Sequence, residues 1–286
     1  MNILERCKTV LEFHLSGAMD EVSEWDFYQL TGSRIESARL WRDKFVKTGA
    51  VPSIYGDTLL TVEELLHNEE MEQVYSLLLG IYLGDGSVCK SHRRCAEFCV
   101  AGDWRQDRAL QVAELATKTI FELNKVSVSR KAGEHSAFIR VSSNNALTLF
   151  PQSIGGGQKW SKHIVLTDWQ ERCVRKNPKG FVQGLFLTDG SRSLHGRYKQ
   201  QPLWTFFNKS PDIINLTRWG LNLVGVEFND PRYSVGGFSF SVKAKSTAAL
   251  DKIVGSKYTQ RSKFKLPAYD LIKHPAYCAA TSTVAR

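Results

Sequence analysis

Two aspartates stand near the ends of two similar apolar words. LLGIYLGDG spans residues 78–86 and carries Asp85; VQGLFLTDG spans residues 182–190 and carries Asp189. Each word reads as a helix with its aspartate at the C-terminal end. Gly80 and Gly84 share one helix face, and Gly184 and Thr188 take the same places in the second word. Small residues spaced four apart let two helices approach until their backbones nearly touch. Glycine inside a helix costs about 1 kcal/mol relative to alanine, so a packing reason is expected. If the two helices pair symmetrically, Asp85 and Asp189 converge on the symmetry axis. Two carboxylates that close repel unless a cation lies between them. Together with the helix-end carbonyls of Gly84 and Thr188 they form a hard-oxygen site suited to Mg²⁺ or Mn²⁺. Over a long groove, such a site has the chemistry of phosphodiester cleavage.

The elements that must position these aspartates follow from the surrounding sequence. Asn68 precedes Glu69, Glu70 and Glu72, a suitable N-cap and acidic first turn for the first helix. Asn177 and Pro178 take the N-cap and N1 places of the second. After Asp85 come a polar strand-like stretch, the strand AEFCVAG, and a helix predicted from Trp104 with Asp103 as its cap. After Asp189 come a polar stretch, the strand LWTFFN, and a helix opened by Ser210-Pro211-Asp212. Strand pairs follow around Val126–Ser129 and Ala137–Ser142, and around Val226–Asn229 and Phe238–Val242. Each half closes in a basic segment, GGGQKWSKH and TQRSKFK, which put Lys159 and Lys263 equally far, 74 residues, beyond Asp85 and Asp189. The unit is α-β-β-α-β-β-α, occurring twice. The expected fold is α/β with internal pseudo-twofold symmetry, so the chain is expected to be a monomer.

Composition narrows the partner. Lys and Arg number 38 against 29 Asp and Glu, a net charge of +9. Residues 1–70 carry 7 basic and 13 acidic side chains; the remainder carries 31 and 16. A basic excess confined to one region points to a polyanion, most often nucleic acid. No apolar run is long enough to span a membrane, and no signal-peptide core is read at the N-terminus, so a cytoplasmic location is expected. The six cysteines lack CxxC spacing and read as packing residues in a reducing compartment.

Residues 1–60 read as a separate helical unit with the outline of a helix-turn-helix. Its third helix carries Arg34, Arg39 and Arg42, donors of the kind that phosphates and base edges require. Residues 53–61 read as a linker, with one repeat over 68–166 and the other over 177–286.

The two words resemble the paired LAGLIDADG motifs of single-chain homing endonucleases, and the order of elements behind each resembles that family's fold. GGGQKWSKHIVLTDWQ, followed by the second word and FFNKSPDI, is similar to a group of such proteins from actinobacteria and their phages. The resemblance covers roughly residues 68–286. It implies two saddle-shaped antiparallel sheets lying along the major groove of double-stranded DNA. It implies that Asp85 and Asp189 bind divalent cations and are essential for cleavage, and that Gly80, Gly86, Gly184 and Gly190 let the helices pack. It also implies a basic residue near each active centre: Lys159 and Lys263, with Lys162 and Lys265 as alternates. The family's earlier acidic position is Leu83 in the first word and Leu187 in the second, a departure at a less constrained place. Candidate DNA contacts on the strands and loops are Ser87, Lys90, Arg93, Arg94, Arg140, Lys162, Arg192, Arg197, Lys199, Gln201, Lys243 and Lys245. The function expected is site-specific cleavage of double-stranded DNA. The alternatives are a non-cleaving transcriptional regulator on the same fold and an RNA-splicing maturase.

Overall fold

The computed structural model of the chain describes residues 62–90, 96–121, 124–143, 145–154, 157–196, 201–234 and 236–257. The helix-turn-helix reading of residues 1–60 lies outside them. So do Arg34, Arg39, Arg42, Arg93, Arg94, Arg197, Lys199, Lys263 and Lys265.

A short helix α1 (Val62–His67) leads into α2 (Glu69–Asp85). The Asn68 side chain accepts from the Met71 N–H and starts α2 as its sequence position predicts. β1 (Gly86–Lys90), β2 (Ala96–Asp103), α3 (Asp107–Ile120), β3 (Ser127–Arg130), β4 (Ser136–Ser142) and α4 (Asn145–Leu149) complete the first repeat. A segment with 3-10 turns at Pro151–Ser153 and Lys159–Ser161 leads to α5 (Asp168–Lys176), a helix not foreseen from the sequence. The second repeat runs α6 (Pro178–Thr188), β5 (Gly190–His195), β6 (Gln201–Asn208), α7 (Pro211–Leu223), β7 (Arg232–Ser234), β8 (Gly237–Ser241) and α8 (Ala244–Val254). The duplicated α-β-β-α-β-β-α order is therefore present. Both sheets are antiparallel and share one strand order, β1-β2-β4-β3 and β5-β6-β8-β7.

Two boundaries differ from the sequence reading. Asp103 ends β2 and binds Arg105, so the helix begins at Asp107 rather than Trp104. Val226–Asn229 is not a strand. Only Phe228 pairs there, in a single bridge to Val242, and the partner of β8 is Arg232–Ser234.

Each sheet is covered by helices on one face. Val88, Phe98, Val100, Ile139 and Val141 alternate toward the first core, where the rings of Phe98 and Phe150 stack at 4.9 Å. Trp204, Phe206 and Phe240 do so in the second, where Trp204 and Phe206 pack on Phe186 of α6 and Phe240 stacks on Phe206. Strand alternation leaves the opposite face open. On the first sheet that face aligns Ser87, Cys99, Arg140 and Ser127 in one row. On the second it carries Gln201, Thr205, Phe207, Ser239 and Arg232. Among the described residues no helix is long and apolar enough to cross a membrane.

Candidate functional site

The site is built where α2 and α6 meet, and glycine sets how closely they meet. Among the described residues no two helices share a larger contact. A Cβ placed on Gly80 would lie 2.3 Å from the Phe181 carbonyl oxygen, and one on Gly184 would lie 2.3 Å from that of Leu77. Backbone therefore packs on backbone. One turn later Gly84 faces Thr188, whose Oγ1 would be 2.0 Å from a Cβ on Gly84. At the far end of the pair, Lys176 binds the buried Glu72 at 2.5 Å, and Ser76 Oγ donates to the Asn177 carbonyl at 2.8 Å. Gly86 and Gly190 serve a different purpose from the interhelical contact predicted for them. Their added Cβ atoms would strike the last turn of their own helices, at Tyr82 and Phe186. They permit the sharp step from helix into strand.

Asp85 is the last residue of α2 and Asp189 caps α6. The close crossing brings them together: a Cβ on Gly84, the neighbour of Asp85, would lie 3.3 Å from Asp189 Oδ2. Burial and then the charge of Asp85 push the Asp189 carboxyl up to about 6, although Asn208 and the nearby lysines pull the other way. Asp85 keeps more open surface but is densely surrounded by protein, and burial raises it too, opposed by Lys159 and Lys257. Two aspartates that both resist ionisation are a site short of positive charge.

Lysine supplies some of it. Lys159, from the inter-repeat segment, donates from Nζ to the carbonyls of Tyr82, Leu83 (2.8 Å) and Gly84 (2.7 Å). Lys257, just beyond α8, donates to the carbonyls of Thr188 (3.2 Å) and Gly190 (2.6 Å). Each ammonium thus sits at the C-terminal end of one motif helix, on carbonyls of its last turn or just beyond, where the helix dipole is negative. Burial lowers both lysines to about 8, against the pull of the two aspartates. Lys263, to which the sequence offset pointed, lies outside the described residues; Lys257, which meets the second helix end, was missed. Asn208 was missed as well: its Nδ2 donates to Asp189 Oδ2 at 2.7 Å.

The donor set can be compared with what a divalent cation needs. Asp85 and Asp189 fit: they are adjacent, and dense surrounding protein raises both carboxyls. The carbonyls of Gly84 and Thr188, expected as further ligands, instead accept from Lys159 and Lys257. Among the described residues no group of three or more His, Cys, Asp or Glu could hold a metal. Among the described residues, the pair of carboxylates is what the site could offer a cation.

Other predicted contacts divide by position. Arg140 and Gln201 lie on the open sheet faces; Arg140 reaches Ser129 Oγ at 3.1 Å and lies 4.6 Å over the Phe138 ring. Lys90 ends β1, and Lys162 follows the 3-10 turn and lines the cleft beside Asp189. Arg192 is a correction. It faces the covered side of its sheet and makes paired bonds of 2.8 and 2.9 Å to Asp251, which also accepts from Trp204 Nε1. That half-buried, bidentate pair fixes α8 to the sheet and turns the Arg192 guanidinium into the protein rather than toward the open face. Lys243 and Lys245 are not strand residues. They open α8 and flank Glu227 at 3.2 and 2.5 Å.

No protein-family model matches the sequence, and no curated protein matches it. Solved structures with a similar arrangement include I-DmoI in complex with DNA and Mn, at 15% identity and a TM-score of 0.45, covering 66% of this chain and 99% of that one. The homing endonuclease I-WcaI bound to its DNA recognition sequence is 10% identical, with a TM-score of 0.45 and coverage of 68% and 86%. Full-length DUF199/WhiA from Thermatoga maritima is 11% identical, with a TM-score of 0.43 and coverage of 75% and 60%.

Proposed function

We propose that this chain is a site-specific double-stranded DNA endonuclease of the LAGLIDADG kind, dependent on Mg²⁺ or Mn²⁺. The observation that carries the proposal is the meeting of Asp85 and Asp189 at the end of a backbone-close helix pair, between two open sheet faces. Asp85 and Asp189 would hold the divalent cation, which when bound supplies Lewis acidity toward the scissile phosphate and its attacking water. The protein's own groups do the rest. The open faces, with Arg140, Gln201 and Arg232, offer donors to base edges and phosphates. Lys159 and Lys257 place positive charge beside the phosphate as charge gathers on its oxygens. Hydrolysis forms one P–O bond from water, which gives up a proton to solvent, and breaks one P–O ester bond, whose departing oxygen takes a proton. An ammonium with a pKa near 8 is suited to provide it.

One observation favours a second reading, a DNA-binding regulator that does not cut. Lys159 and Lys257 already cap the helix ends and partly neutralise the aspartates, so the site balances much of its charge without metal. The deciding experiment is incubation with a randomised duplex library in Mg²⁺, sequencing cut ends and bound molecules separately. Defined cut ends on both strands, lost in EDTA, support the endonuclease. A bound consensus with no cut ends supports the regulator.

A further inference from the structure

Beside Asp189 a cleft of about 1030 Å³ opens between the inter-repeat segment and the two sheets. That is at the upper end of the roughly 300–1,000 Å³ that seats a small molecule. Ser87 of β1 and Phe207 of β6 both line it. Each belongs to the open row of its sheet, so the cleft opens where a duplex lying along those faces would pass.

The lining combines bare apolar and aromatic surface with positive charge. Ile154 is 66% exposed, Trp160 51% and Phe207 41%, and all three line the cleft. Large apolar side chains grouped in this way mark a binding surface, whereas scattered ones do not. The Trp160 indole N–H donates to Gln158 Oε1, which holds the ring by its edge, and stacking uses the faces. Lys209 Nζ lies 5.9 Å from the Trp160 ring centroid, at the outer limit of a cation–π contact. Lys162 lines the same cleft, and its charge adds to the burial that lowers Lys159. A planar ring beside ammonium groups is the chemistry that recognises a nucleotide with an unstacked base: the ring takes the base and the lysines take its phosphate. Within a duplex both faces of a base are covered by its neighbours, so stacking on Trp160 requires a base outside the helix.

We propose that this cleft receives a single base taken out of the stack of the bound duplex, seated against Trp160, with its flanking phosphate on Lys162 and Lys209. The inference rests on the DNA-binding part of the proposed function and not on cleavage. Unstacking a base costs least where the base is mismatched. Stacking on an aromatic ring offsets part of that cost. The chain should therefore bind most tightly to a duplex with a mismatch at the position that faces the cleft.

The test uses the full chain and the consensus duplex recovered from the randomised library, in EDTA so that no strand is cut. A single mismatch is moved along the duplex one position at a time, and affinity is read by fluorescence anisotropy. One position should bind about tenfold more tightly than the fully paired duplex. Trp160→Ala should remove that preference and lower affinity for the mismatched duplex at least about fivefold, the effect of about 1 kcal/mol. Trp160→Phe keeps a ring and should keep most of the preference. Trp160 is half exposed, so neither substitution disturbs the core. Affinity that is flat along the duplex, or a mismatch preference that survives Trp160→Ala, would overturn the inference. Binding of a mononucleotide or a free single strand that depends on Trp160, with no mismatch preference, would overturn the duplex as the source of the base. Cutting is assayed separately in Mg²⁺. A flat scan beside defined cut ends would overturn the pocket and leave the endonuclease reading standing. A preference lost in Trp160→Ala, with no cutting, would uphold the pocket and overturn cleavage.

Discussion

Replacing Asp189 with asparagine should stabilise the metal-free protein while ending its activity. The raised Asp189 carboxyl means the folded state disfavours the ionised form. Its cost is absent below the ordinary value of 3.8, grows as pH rises, and is complete above about 6. That gap corresponds to about 3 kcal/mol. Asp189 is partly open to solvent, and its charge also supports Lys159 and Lys257, so about half of this, 1–2 kcal/mol, is expected on substitution. Asparagine keeps the shape and an oxygen to accept from Asn208. In EDTA at pH 7.5, Asp189→Asn should melt roughly 2–8 °C higher than the parent chain, taking about 2–4 °C per kcal/mol for a chain of this size. At pH 4 the advantage should nearly vanish, because the parent carboxyl is then neutral. Mg²⁺ should raise the melting temperature of the parent and do little for the variant, because a ligand stabilises only the fold that binds it. A variant that melts lower than the parent in EDTA at pH 7.5 would refute the charge argument. Equal protection of both chains by Mg²⁺ would refute Asp189 as a cation ligand.

Asp85→Asn should abolish cutting yet keep or increase duplex affinity, since it removes a negative charge facing phosphate; a gel-shift titration with a cleavage assay decides, and cutting at the parental rate would sink the assignment. The cleavage rate should climb as Asp189 ionises near pH 6 and fall as Lys159 and Lys257 lose their protons near pH 8, so a rate still rising past pH 9 would argue that neither ammonium takes part. Gly80→Ala drives a Cβ against the Phe181 carbonyl at 2.3 Å and should cost about 1–3 kcal/mol in urea unfolding, whereas a loss under about 0.5 kcal/mol would show that the helices part freely. Duplex affinity should fall steeply with salt, and a log–log slope shallower than about −3 would indicate a partner other than a polyanion.

What the sequence determined by itself was local or periodic. Asn68 and Asn177 start the motif helices where an N-cap side chain meets an orphan N–H, and Ser210 starts α7 by the same physics. The spacing of Gly80 and Gly184 dictated a backbone-close pair, and repetition of the words placed Asp85 and Asp189 at matching ends. Period-two apolar residues defined β2, β4 and β6. The rest depended on side chains that meet only after the chain has closed. Arg192 sits in a polar strand whose sequence says nothing of which face is covered; Asp251, 59 residues onward, draws it inward. Glu227 claims Lys243 and Lys245 in the same way. Lys257 reaches back to the carbonyls of Thr188 and Gly190 only once α8 has packed, and no motif in the sequence marks that meeting. Asn208, 19 residues beyond Asp189, meets its carboxylate only because β5 and β6 lie side by side in the closed sheet.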